Sequence, residues 1–248
     1  MFGLARECLY RLLAAALSEP GKEKFRPLFD PANLDLAQEA ADLLRAEAAD
    51  RPVTLGFGEL PADRLDLAPL RAALGRPPEE LQADYQRVFG LVYTGDCSPY
   101  ETAYHSTSEP FFRSQQMADV AGFYQAFGLA LGRTTAERPD HIALELEFLA
   151  FVLLKKRLAE EAEHAAICEE ALRTFFRDHL AWWVPSFATG LRRKAEGGFY
   201  AAVGQVLAAL LPLERTRYQV VPPRFPLQPE VAERPEEEPQ CAGCSGPV

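Results

Sequence analysis

Two short stretches of the sequence gather residue types able to bind a partner or hold a proton. The first is Glu137-Arg138-Pro139-Asp140-His141. Proline stiffens a connection, an aspartate carboxylate suits the N-cap of a helix, and an imidazole in a first helical turn is biased towards its neutral form by the dipole. The second is Cys97-Ser98-Pro99-Tyr100-Glu101-Thr102-Ala103-Tyr104-His105, preceded by Tyr85 and Phe89 and followed by Phe111-Phe112. Aromatic rings beside a carboxylate form an amphipathic surface suited to an extended or helical peptide. Both stretches also have a structural reading, as an Asp-capped helix start and as a packed loop.

Other candidate chemistry is incomplete. Glu161-Ala-Glu-His164 has the Glu-x-x-His spacing of carboxylate-bridged di-iron sites, but such sites need two copies with further glutamates, and this one lies in a charged run. A helical-bundle metalloprotein is therefore the alternative reading. His141 and Glu145 form an i,i+4 pair without companions, since His105, His164 and His179 stand at no ligand spacing. Cys241-Ala-Gly-Cys244 is a lone CxxC without a second pair or a βα context. No G-x-x-x-x-G-K-[ST] loop is present, Gly190, Gly197 and Gly198 do not supply one, and no Ser-His-Asp or Cys-His arrangement is identifiable by spacing. No catalytic residue, metal or cofactor is assigned.

The elements that must carry these stretches are helical. Ala, Leu, Glu and Arg recur at three- and four-residue spacing while alternating β-branched runs are missing, which predicts an all-α chain. Helices are expected near 2–18, 33–50, 63–74, 78–92, 109–131, 140–161, 164–180, 185–196 and 198–212, separated by prolines such as Pro31, Pro61, Pro77-Pro78, Pro99, Pro110 and Pro139. The segment 140–154 is apolar on more than one face and is expected at the centre of a bundle, with Asp140 capping it, Glu145 and Glu147 within reach of its positive end, and Lys155, Lys156 and Arg157 at its negative end. From Tyr218 onward the chain is rich in Pro and Glu, and 218–248 is expected to be a flexible tail.

Composition narrows the function classes. With 248 residues, 48% of them apolar, the chain can bury a substantial core. A formal charge of -10 argues against a nucleic-acid partner. Five scattered cysteines do not form a secreted disulfide framework, so a reducing cytoplasm is expected. The opening MFGLARECLYRLLAAALSEP is interrupted by Arg6, Glu7 and Arg11, and is expected to be neither signal peptide nor membrane span, with Met1 starting the mature chain.

Taken in order, Tyr85-Gln-Arg-Val-Phe89, Ser98-Pro99-Tyr100-Glu101-Thr102 and Glu137-Arg-Pro-Asp140-His141 leading into Leu144-Glu-Leu-Glu-Phe148 resemble the redox-enzyme maturation chaperones of the TorD/DmsD/NarJ group. The resemblance spans about residues 5 to 215. It implies a TorD-like all-helical fold in two subdomains, 1–136 and 137–217, meeting at a hinge, and binding of an apo molybdoenzyme catalytic subunit or its twin-arginine leader before export. It also implies a cytoplasmic location; monomer and dimer are both open. Carried over onto matching positions, it makes Tyr85, Phe89, Tyr100, Glu101, Pro139, Asp140 and His141 the client-binding candidates. Leu149 stands where the group often has Met, and the CxxC tail is outside the shared pattern. Cys97-Ser-Pro-Tyr-Glu-Thr with Asp119-Val-Ala-Gly-Phe-Tyr124 is most similar to the branch serving dimethylsulfide-, ethylbenzene- or selenate-type enzymes.

Overall fold

The computed structural model describes residues 1–49, 51–90, 97–105, 109–130, 137–195 and 197–229. Within them the chain is all-α, as the periodicity predicts. Nine α-helices run in the order α1 Phe2–Ala16, α2 Pro31–Ala49, α3 Ala68–Leu74, α4 Pro78–Phe89, α5 Pro110–Ala126, α6 Ile142–Arg157, α7 Ala162–Phe175, α8 Val184–Lys194 and α9 Phe199–Tyr218. Short 3-10 turns occupy Glu23–Phe29, Ala62–Arg64 and Glu101–Tyr104, and a π-helical turn, Phe176–Leu180, continues α7. Proline stands in the first turn of α2, α3, α4, α5 and α8, where its missing N–H breaks no intrahelical bond.

Helix α6 is central, as expected from its apolar faces, packing against α1 on one side and α7 on the other. Its buried residues Ile142, Leu146, Phe148, Leu149, Val152 and Leu153 point in more than one direction, which requires neighbours on several sides. A second central helix is α9, buried along nearly its whole length and longer than the expected 198–212, with Pro212 inside it. Proline inside a helix removes the donor that the carbonyl four residues earlier would receive. Here that carbonyl, on Ala208, accepts instead from the Leu60 backbone N–H at 2.8 Å, so a segment far away in sequence supplies the missing bond. Helix α8 lies close against α9 at Gly204, where an added Cβ would sit 2.8 Å from the Ala188 carbonyl oxygen and 2.9 Å from the Leu191 Cβ.

Helices from before and after residue 137 pack against one another. Helix α1 packs on α6 and touches α9, while α3 and α4 also rest on α9, so the N-terminal helices close around C-terminal ones. A buried ion pair and a buried hydrogen bond, both ending on Glu214 of α9, join α1 to it. The Arg6 Nε donates to Glu214 at 2.5 Å and its guanidinium reaches Glu47 at 2.8 Å, while the Tyr10 hydroxyl donates to the other Glu214 oxygen at 2.8 Å.

The first part of the expected tail, 219–229, lies within the described residues. After α9 ends in a left-handed residue, Gln219, the chain is fastened down as an extended strap. The Phe57 N–H donates to the Pro223 carbonyl at 2.7 Å and the Leu227 N–H to the Ser186 hydroxyl at 2.9 Å. Proline-rich sequence adopts extended backbone at little entropic cost, so a few contacts suffice to hold it. The remainder of the expected tail, with Cys241 and Cys244, lies outside the described residues. Among the described residues no helix is long and apolar enough to cross a membrane.

Candidate binding site

The two stretches singled out in the sequence meet in space. Tyr100 and His141 form an isolated antiparallel bridge. The Glu101 N–H donates to the Asp140 carbonyl at 3.0 Å, and the Ile142 N–H donates to the Pro99 carbonyl at 2.9 Å. The 97–105 loop is thereby anchored to the connection that starts α6.

Asp140 is the polar centre of this joint and is fully buried. Its Oδ2 accepts from the Thr102 N–H at 3.1 Å, the Thr102 hydroxyl at 2.8 Å and the Arg138 guanidinium at 2.7 Å, while Oδ1 accepts from the Arg138 Nε at 3.0 Å. The expectation that Asp140 caps α6 is therefore corrected. The cap is His141, whose Nδ1 accepts from the Ala143 N–H at 3.1 Å. With Asp140 committed to Arg138 and Thr102, the residue one step closer to the helix is the one in capping geometry. Accepting at Nδ1 requires the imidazole to be neutral there, and burial does push the His141 pKa below its ordinary value, opposed by the Glu137 and Asp140 charges.

Above this buried base lies a partly exposed layer. Tyr100 donates its hydroxyl to Glu137 at 2.8 Å, carries the Arg138 guanidinium 4.5 Å above its ring centre, and meets the His141 ring edge-on at 5.2 Å. The Tyr124 hydroxyl of α5 donates to the Pro139 carbonyl at 2.9 Å, tying the turn down from the other side. Glu137, Arg138, Pro139 and Tyr100 thus reach solvent, whereas Glu101, Asp140 and His141 hold them from below.

Of the seven candidates, Tyr100, Glu101, Pro139, Asp140 and His141 form this one joint. Tyr85 and Phe89 belong to a second aromatic group: their rings are 5.0 Å apart, and Phe89 meets Tyr200 edge-on at 5.2 Å and stacks on Phe187 at 6.4 Å. The Cys97 thiol, 3.8 Å from the Phe187 carbonyl, links that group to the loop. Four participants take roles that their sequence positions did not assign to them. His179, in the π-helical turn, brings its Nδ1 to 3.1 Å from the Glu101 carboxylate. Glu145 stands in the first turn of α6, near its positive end, and is in addition fully buried. Thr102 and Arg138, although inside the motifs, supply the donors that fix Asp140.

Nearby, α1, α2, α6 and the Glu23–Phe29 turn enclose an open groove of about 460 Å³. Its apolar lining includes Leu12, Leu28, Leu36, Ala150 and Phe151, and the exposed Lys24–Glu147 pair, 2.7 Å apart, stands at its edge. The di-iron spacing Glu161/His164 falls on the exposed face of α7, with His164 Nε2 3.9 Å from the carboxylate. Among the described residues no group of His, Cys, Asp and Glu is arranged to hold a metal ion.

The family model described as "Nitrate reductase delta subunit" matches residues 59–189, over half the chain and the whole of the joint from Cys97 to His179. The chain belongs to this family, whose members include the redox-enzyme maturation chaperones that its motifs resemble. It is 33% identical over 147 residues to the chlorate reductase assembly chaperone protein of Ideonella dechloratans, covering 58% of this chain and 72% of that protein. To the selenate reductase assembly chaperone protein of Thauera selenatis it is 31% identical over 141 residues, 56% and 70% of the two chains. The chaperone protein TorD of Vibrio parahaemolyticus is 27% identical over 135 residues, 54% of this chain and 62% of its own.

Proposed function

We propose that this protein is a cytoplasmic assembly chaperone that binds the apo catalytic subunit of a molybdenum-containing oxidoreductase, or that subunit's twin-arginine leader, while the cofactor is inserted and before export. The observation that carries this reading is the family match across 59–189, which contains the whole Tyr100–His141 joint. The relatives named for chlorate and selenate reductase assembly favour a client of that broad type. No catalytic step is assigned to the chain.

Binding divides between two surfaces that share α6. The apolar groove lined by Leu12, Leu28, Leu36 and Phe151 suits the apolar side of an amphipathic client helix, because burial there removes hydrocarbon from water without stranding polar groups. The layer of Tyr100, Glu137 and Arg138 supplies an aromatic ring and paired charges at the surface. Burial of Glu101 and Asp140 gives those carboxylates a holding role, so attraction of the leader's arginines falls to accessible acids such as Glu137 and Glu147.

The test is co-purification of the tagged chain from its native cells, with mass spectrometry of bound partners, beside a Tyr100→Ala variant whose circular dichroism matches wild type. Recovery of an apo molybdoenzyme subunit, reduced about tenfold by the substitution, supports the reading; tenfold corresponds to about 1.4 kcal/mol, a modest hot-spot loss for a tyrosine. Failure of precursor and leader peptide to associate at micromolar concentration refutes it. Stoichiometric iron or zinc in place of a partner would favour the metalloprotein alternative.

A further inference from the structure

Beneath the joint lie two fully buried carboxyl groups that act on one another, Glu101 from the loop and Glu145 from the first turn of α6. We propose that Glu101 and Glu145 share one proton, and that this proton is a pH-sensitive latch fastening the 97–105 loop to α6.

The argument is an inventory of donors. Among the described residues neither oxygen of Glu145 accepts a hydrogen bond, although both are shielded from solvent. The hydrogen bonds made by the polar side chains of the joint go to other acceptors. Asp140, ahead of α6, is saturated by Arg138 and Thr102. His141 uses its Nδ1 as the cap, and the Tyr124 hydroxyl of α5 is given to Pro139. His179 turns its Nδ1 to Glu101, and its Nε2 faces Asp119 of α5 at 3.4 Å. Glu147 points outward to Lys24. The group left to act on Glu145 is the Glu101 carboxyl, and two neighbouring carboxylates shut away from water repel. One proton between them turns that repulsion into a hydrogen bond.

The directions of titration agree. Burial pushes the Glu145 pKa well above the ordinary carboxyl range, with the Glu101 and Asp140 charges adding to it. Burial raises that of Glu101 as well, opposed by His179. A pair coupled in this way takes up its proton as a unit. Above the pKa of a glutamate in the unfolded chain, about 4.3, the folded state therefore binds one proton more than the unfolded state. Its stability must fall as pH rises, until the folded pair itself releases the proton. Release would place a second charge in the joint and loosen the strand-like contact between Tyr100 and His141.

The test uses the full chain and Glu145→Gln, which keeps the shape and a neutral donor but cannot ionise. Urea unfolding from about pH 5 to pH 9 should show the wild-type folding constant falling by up to tenfold per pH unit relative to the variant, the linkage of one proton. Hydrogen exchange across 97–105 should quicken at alkaline pH in wild type and not in the variant. Equal pH slopes for the two proteins overturn the proposal. If Glu145→Gln does not fold, infrared spectroscopy of the wild type decides: a buried neutral carboxylic-acid band near pH 7, lost on alkalinisation together with loop protection, supports the latch. Absence of the band near neutrality, or its loss without any change in loop exchange, overturns it.

Discussion

Replacing Asp140 by alanine removes the acceptor on which the joint converges. Three bonds end on its Oδ2 and a fourth on Oδ1, and the group is fully buried. The Arg138 side chain is 42% exposed, so water can rehydrate its guanidinium and the lost ion pair should cost only about 1 kcal/mol. The Thr102 N–H and hydroxyl lie in a buried residue, and stranding them adds about 1–3 kcal/mol. The expected loss is about 3 kcal/mol for Asp140→Ala and somewhat less for Asp140→Asn, which keeps one acceptor but presents an amide donor to other donors. Urea unfolding can be followed through Trp182 and Trp183, because the Trp183 indole donates to the His179 carbonyl at the far side of the joint. Thr102→Ala alone should cost about 1 kcal/mol, and the double variant should lose about as much as Asp140→Ala alone, since the two groups serve the same bonds. A cost for Asp140→Ala within about 0.5 kcal/mol of zero, at unchanged denaturant dependence, would refute the view that this aspartate organises the joint.

Two other substitutions probe the frame that holds the joint in place. Arg6→Met should destabilise the protein by about 3–5 kcal/mol in the same unfolding assay, because it leaves the fully buried Glu214 with only the Tyr10 hydroxyl; Arg6→Met with Glu214→Leu should recover most of that loss. Gly204→Ala should gain about 1 kcal/mol in helix propensity yet lose about 1–3 kcal/mol by driving a methyl into the Ala188 carbonyl and Leu191, so a net fall in melting temperature is expected.

Much of this protein was legible from its sequence. Three- and four-residue periodicity fixed the helical class, and prolines marked helix starts because position N1 needs no donor. The all-round apolarity of 140–154 placed α6 at the centre. The site motifs were visible as motifs, since Ser98 to Thr102 and Glu137 to His141 are each contiguous.

Tertiary structure decided what a contiguous reading has no access to. That Asp140 turns away from its helix depends on Thr102, thirty-eight residues distant, offering better donors than the helix end. That α9 survives Pro212 depends on Leu60 taking the freed carbonyl. His179 carries no local signal, because a lone histidine in a helix becomes informative only when a buried carboxylate such as Glu101 stands beside it. Glu145 reads as a favourable charge near a helix N-terminus, and the loop packed over it makes it a buried acid. Local periodicity records which face of a segment avoids water, whereas the partner and protonation state of each polar group are set by what the folded chain brings within about 3 Å.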